Sequence, residues 1–150
     1  MEGINKKSEL HDSSLQKKVE LASKYNKGDE LPVDFKKIEG AVDMFDILLE
    51  GEKIGAFEIA NSNPEEENLG VKTKQLGFIR IDDLFLNKGL GKQFYIVLNN
   101  YLKTTENSVL ESSGEHITPQ AKRVWASLLK DGLVYKEGTR SNGEDFYRFK

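Results

Sequence analysis

The chain contains no cysteine. Disulfides, thiolate metal sites and a cysteine nucleophile are excluded. Histidine is nearly as scarce, with only His11 and His116. That pair is too small a donor set for a dedicated zinc or iron centre, so no metal is expected. Basic residues hold no excess: 22 Lys and Arg stand against 25 Asp and Glu, for a net charge of −3. Nothing here resembles the basic footprint of a nucleic-acid binder. No apolar run approaches the ~20 residues of a membrane span. The first residues lack the apolar segment of a secretory signal, so a cytoplasmic protein with no membrane partner is expected.

What is present suits one globular domain. The length is 150 residues, with 37% apolar and 31% charged, enough to build a core. Residues 1–12 are polar and are expected to form a flexible N-terminus; the domain is expected to fill 13–150.

The most informative stretch runs from Phe78 to Lys103. It reads as a strand, a glycine turn and a helix. The strand half is rich in Ile, Leu and Phe, which suit a pleated sheet. Gly89, Leu90 and Gly91 follow. Then Phe94, Val97, Leu98, Tyr101 and Leu102 recur at helical spacing and form one apolar stripe. A glycine turn at a helix start is a ready anion site. The first-turn N–H groups are unpaired, their dipoles add, and the missing Cβ atoms let a phosphate approach. Lys88 and Lys92 flank the turn and add charge. A tight strand-to-helix connection with no ligand would give the same pattern.

Three phosphate-binding motifs share this physics. A P-loop requires Ser or Thr after Gly91-Lys92, where Gln93 stands. The dinucleotide fingerprint requires a third glycine where Phe94 stands. Glu111 lies at a suitable distance for a ribose contact, but no second strand–helix–strand unit follows. The third motif is matched better. The stretch resembles motif A of the GCN5-related N-acetyltransferases, a strand followed by Pro-x-x-Arg/Gln-x-x-Gly-x-Gly/Ala and a helix. Ile79 and Ile81 match the apolar strand positions, and Gly89 and Gly91 match the small ones. Asp83 replaces the frequent Pro, and Leu86 stands where Arg or Gln is usual.

The rest of the chain gives an order that fits. A capping-box pair, Ser13 and Gln16, opens a helix to about Tyr25, with Leu15, Val19 and Ala22 as its apolar face. Gly28 ends it. Val33 to Glu39 reads as a short strand or a loop. Ala41 to Leu49 and Ile54 to Ala60 read as a β-hairpin across a turn holding Gly51. The loop containing Pro64 and three glutamates follows, with the option of attracting a cationic acceptor. After the key helix, Ser108 to Glu111 reads as a strand, parallel to the first by the crossover rule. Thr118 and Pro119 are a good N-cap and first residue for the next helix. Its stripe is Ala121, Val124, Trp125, Leu128 and Leu129, with Gly132 as its stop. Leu133 to Lys136 and Asp145 to Phe149 make a closing hairpin.

The resemblance, over residues 33–150, implies an α/β fold. It is a single-domain mixed sheet of six to seven strands, splayed between two central strands and flanked by helices. It further implies an N-acetyltransferase moving an acetyl group from acetyl-CoA to an amine by direct attack in a ternary complex. The pantetheine arm would lie in the splay, with backbone near Ile81 and Asp82 pairing to it and an N–H stabilising the oxyanion. The implied donor-binding residues are Ile81, Asp82, Asp83, Leu86, Asn87, Lys88, Gly89, Leu90, Gly91 and Lys92. A base would remove the amine proton; the candidates are Glu58, Asp82, Glu111 and His116, with Asp83 facing away from Asp82. The family's helix tyrosine, often the acid toward the thiolate, has no counterpart: Trp125 occupies that spacing, as core or as a cleft wall. A small-molecule or protein amine is the expected acceptor. The alternatives are the same fold used as a non-catalytic binding or regulatory module, and a dinucleotide-binding protein.

Overall fold

Hydrophobic alternation and turn chemistry build the first half of the sheet. A computed structural model describes residues 15–40, 43–61, 72–112, 117–139 and 143–150. The N-terminal segment 1–12 with His11, Ser13 of the capping box, Pro64 and the glutamates beside it, and His116 lie outside the described residues. Residues 15–24 form helix α1. Strands β1 (Val33–Lys37), β2 (Met44–Leu49) and β3 (Glu52–Asn61) make an antiparallel meander. Glu50 and Gly51 join β2 to β3 with φ of 49° and 83°. Two positive φ values in a two-residue loop give the turn whose twist matches the flanking strands. Strand β4 (Thr73–Ile81) adds antiparallel to β3.

Beyond β4 the chain departs from the expected plain glycine turn. The strand ends at Ile81, and Asp83–Leu86 forms a short helix, α2. Asp82 has extended geometry at its N-cap and Asp83 places an acid in its first turn, where the helix dipole favours negative charge. The long helix α3 (Gly91–Glu106) then crosses back to β5 (Val109–Glu111), which is parallel to β4. Helix α4 (Pro119–Lys130) starts where the Thr-Pro pair predicts: Thr118 Oγ1 accepts from the Ala121 N–H at 3.2 Å. Strands β6 (Val134–Thr139) and β7 (Asp145–Phe149) close the chain as a hairpin. Among the described residues, seven strands form one sheet in the order β1-β2-β3-β4-β5-β7-β6. The mixed sheet of six to seven strands with flanking helices is thus the architecture found.

Two aromatic clusters fasten the helices to the sheet. Phe57 is fully buried, stacked on Phe45 at 5.1 Å and edge-on to Phe35 at 5.1 Å. Phe35 meets Tyr101 of α3 at 5.0 Å. At the other end, Trp125 of α4 meets Tyr95 of α3 at 5.4 Å, Tyr147 at 6.0 Å and Phe149 at 5.8 Å. Each such ring, fully buried, contributes roughly 1.5–3 kcal/mol of burial energy.

Helix α1 buries only Ala22 of the face its spacing suggests. Leu15 and Val19 are 49% and 47% exposed, whereas Leu21 and Ala22 are buried. The last turn of α1 supplies its buried residues, Leu21 and Ala22. Lys88 reaches over from the turn after α2 and donates to the carbonyls of Ala22 and Tyr25.

Candidate functional site

The pairing of β4 with β5 is brief. Thr73 faces Val109, Lys74 faces Leu110 and Gln75 faces Glu111, and there it stops. The cause is local. Ser112 is bound to β7: its N–H donates to the Tyr147 carbonyl at 2.8 Å, and its Oγ accepts from the Tyr147 N–H at 2.9 Å. The chain after Glu111 is therefore drawn away from β4, which continues along β3 alone to Ile81. At the parting point β4 carries a bulge. Glu58 faces Phe78 and Ile59 faces Leu76, so Gly77 is the extra residue. Bulges bend a strand and re-aim its side chains, and they recur beside active sites.

The gap is a cleft of about 120 Å³. One wall is β4 from Leu76 to Ile81; the other is the start of α4, with Ala121, Val124 and Trp125; Leu86, Gly91 and Tyr95 line it too. The β4 wall offers backbone groups. Asp82 N–H donates to the Ile54 carbonyl at 2.9 Å, toward β3. By strand alternation, Ile81 and Ile79 turn their N–H and C=O groups to the opposite edge, which β5 has vacated. Of the expected pair, Ile81 therefore presents backbone to the cleft and Asp82 does not.

The glycine turn sits beside Leu86. Gly89 has φ of 75°, open to glycine and strained for other residues. A Cβ on Gly91 would stand 3.3 Å from Leu86 Cδ2 and 3.9 Å from Val124 Cγ2. The turn therefore holds only a small residue there. Helix α3 begins with Leu90 as N-cap, no side-chain cap and no acid in its first turn. Its own ladder gives the N–H groups of Gly91 and Lys92 no acceptor, which leaves them for an anion.

The flanking charges behave differently from the simple expectation. Lys88 is held by the carbonyls ending α1, and Lys92 pairs with Asp131 beyond the end of α4. Asn87 N–H donates within α2, to Asp83. Lys27, which spacing does not connect to the turn, has its Cδ 3.7 Å from the place of a Gly89 Cβ.

The candidate bases are scattered. Glu58 lies beside the cleft: its Oε1 is 2.9 Å from where a Cβ on Gly77 would stand. Asp82 is bound to Lys18 of α1 at 3.0 Å. Glu111 is fully buried and accepts from Gln75 Nε2 at 3.1 Å, among the strands rather than on the cleft wall. Asp83 lies in the first turn of α2. The neighbours of His116, Ile117 and Thr118, line the cleft. Trp125 is both core and cleft wall, 1% exposed. Tyr95 lies outside the apolar stripe of α3 that the helical spacing picks out. It stands four residues after Gly91, on the same helix face, and that spacing was the available signal. Burial holds its hydroxyl well above the ordinary tyrosine pKa.

No protein-family model and no curated protein matches the chain. Solved structures do. An acetyltransferase of the GNAT family from Bacillus anthracis is 15% identical over 71% of this chain and 64% of that one, with a TM-score of 0.46. A GNAT-family acetyltransferase from Listeria monocytogenes 4b F2365 is 18% identical over 71% and 62%, with a TM-score of 0.49. A third acetyltransferase structure is 16% identical over 73% and 57%, with a TM-score of 0.41. The chain spans less than two thirds of the length of each. At this distance the likeness adds nothing to the chemistry, which rests on the cleft itself.

Proposed function

We propose that this chain is an acyl-CoA-dependent N-acetyltransferase. The observation that carries the reading is the parting of β4 from β5 over a largely apolar cleft, with the uncapped start of α3 beside it. An elongated ligand with phosphates at one end and a slender arm at the other fits those features. The N–H groups of Gly91 and Lys92 meet a phosphate, with Gly89 permitting the approach. Ile79 and Ile81 pair with the amides of the arm, as a strand would. The acyl donor supplies a thioester carbon to an attacking amine.

Glu58 is the group best placed to serve as the base. It lies across the bulge from the cleft wall, and its neighbour in register, Phe78, is 37% exposed. Positioned there, its carboxylate takes the proton of an entering amine, directly or through one water. The acceptor class is an amine on a small molecule or a protein.

The second reading, a module of this fold without turnover, is favoured by Trp125 standing where the family places its tyrosine and by Leu86 in place of a polar side chain. A dinucleotide site is disfavoured by the sheet, in which β5 is followed by antiparallel β7. Calorimetric titration with acetyl-CoA, CoA and NAD separates the three. Binding of the CoA species alone, followed by thiol release with an amine, is the expected outcome. CoA binding without turnover for any amine supports the module, and NAD binding alone supports the dinucleotide site.

A further inference from the structure

Tyr95 is a buried hydroxyl-bearing residue bordering the cleft. Its ring is anchored edge-on against Trp125, and the residue is 3% exposed. A buried tyrosine normally finds a partner for its hydroxyl. Burial holds the Tyr95 hydroxyl above the ordinary tyrosine pKa. The neighbours on the cleft wall are otherwise aliphatic or glycine, apart from Trp125, Phe78, Thr118 and Gln120. Thr118 already accepts from Ala121 N–H as the cap of α4. Tyr95 thus sets a buried hydroxyl on the wall of an apolar cleft, its ring packed against Trp125, and a pre-placed donor in such a setting stabilises a developing oxyanion.

We propose that the Tyr95 hydroxyl is a hydrogen-bond donor to the carbonyl oxygen of the acyl thioester. This rests on the acetyl-CoA reading of the cleft. As the amine nitrogen bonds to the carbonyl carbon, the C=O electron pair moves onto oxygen, where the tyrosine O–H meets it. The pair then returns, the C–S bond breaks, and the sulfur leaves with its electrons. The amine proton goes to Glu58, and the thiolate takes a proton from water. Tyr95 keeps its proton throughout, consistent with a phenol that its surroundings hold in the neutral form. Oxygen is preferred over sulfur as its partner because sulfur is a weak acceptor. The assignment differs from an acid that gives its proton to the leaving thiolate.

The test needs no knowledge of the natural acceptor. Acetyl-CoA labelled with carbon-13 at the carbonyl is bound to the wild type and to Tyr95→Phe, and the carbonyl resonance is compared. Tyr95→Phe keeps the ring and its contact with Trp125. The expected results are equal CoA affinity by calorimetry, a downfield carbonyl shift in the wild type that the variant loses, and roughly 100-fold slower thiol release with hydroxylamine as surrogate amine. Bound acetyl-CoA with the same carbonyl shift and the same rate in both proteins overturns the assignment and leaves the acetyltransferase reading standing. Failure of the wild type to bind acetyl-CoA overturns both.

Discussion

The Glu58 side chain lies so close to Gly77, the extra residue of the β3–β4 bulge, that a Cβ on Gly77 would stand 2.9 Å from the Glu58 Oε1. The obstacle is the far end of a flexible side chain, so Gly77→Ala costs little in folding and displaces the carboxylate. If Glu58 is the base, Gly77→Ala and Glu58→Gln both slow amine acetylation, the latter by roughly 100-fold or more. Affinity for CoA stays unchanged in both. Steady-state rates alongside calorimetry check this, and a Glu58→Gln variant with the wild-type rate removes Glu58 from the mechanism.

The glycine turn makes a separate prediction. Gly89→Val places a β-branched residue at φ of 75°, and Gly91→Leu pushes into Leu86 and Val124. Each is expected to weaken CoA binding at least about tenfold, which corresponds to about 1.4 kcal/mol. Circular dichroism identifies any variant that fails to fold. A folded double variant that binds acetyl-CoA as the wild type does shows that the phosphates lie elsewhere.

The sequence disclosed the order of elements well, because each signal was local. Thr118 and Pro119 mark a helix start by their own chemistry, and Gly51 between two strand-like runs marks a hairpin turn. The site was less legible because it depends on partners distant in sequence. The helical spacing of Phe94, Val97, Leu98, Tyr101 and Leu102 identified α3, yet Tyr95 gains its place from Trp125 and the departure of β5. The end of that pairing is set by Ser112 bonding to Tyr147, a contact no spacing rule contains. Leu15 and Val19 misled for the same reason: an apolar stripe says what a helix can bury, and the partner decides what it does bury.

Lys88 illustrates the difference between a charge near a turn and a charge available to it. Its ammonium caps the carbonyl end of α1 through Ala22 and Tyr25, where a cation also complements the helix dipole. Lys88→Met is therefore expected to destabilise the fold by about 1–2 kcal/mol. CoA affinity, and its dependence on salt, should change little. Urea unfolding and calorimetry at two salt concentrations test this. A variant of unchanged stability that binds CoA poorly shows instead that Lys88 leaves α1 to meet phosphate.

Helix α1 is also fastened to the β2–β3 turn, and this link makes stability depend on pH at both extremes. The Tyr25 hydroxyl donates to Glu50 Oε2 at 2.8 Å, and Lys24 Nζ lies 3.2 Å from Oε1. The bond from Tyr25, then that from Lys24, holds the Glu50 carboxyl below its ordinary value of 4.5. Burial, then Glu50 itself, pushes Tyr25 above its ordinary 10.0. A depressed carboxyl stabilises the fold above its unfolded pKa, and that contribution disappears as pH falls through the folded value. A raised phenol stabilises it below its unfolded pKa, and that contribution disappears as pH rises through the folded value. The melting-temperature difference between the wild type and Tyr25→Phe should therefore be constant near neutrality. It should shrink as pH falls below about 4.5 and again as pH climbs past about 10. A difference that stays flat across both limbs shows that the Tyr25–Glu50 bond does not anchor α1 in solution.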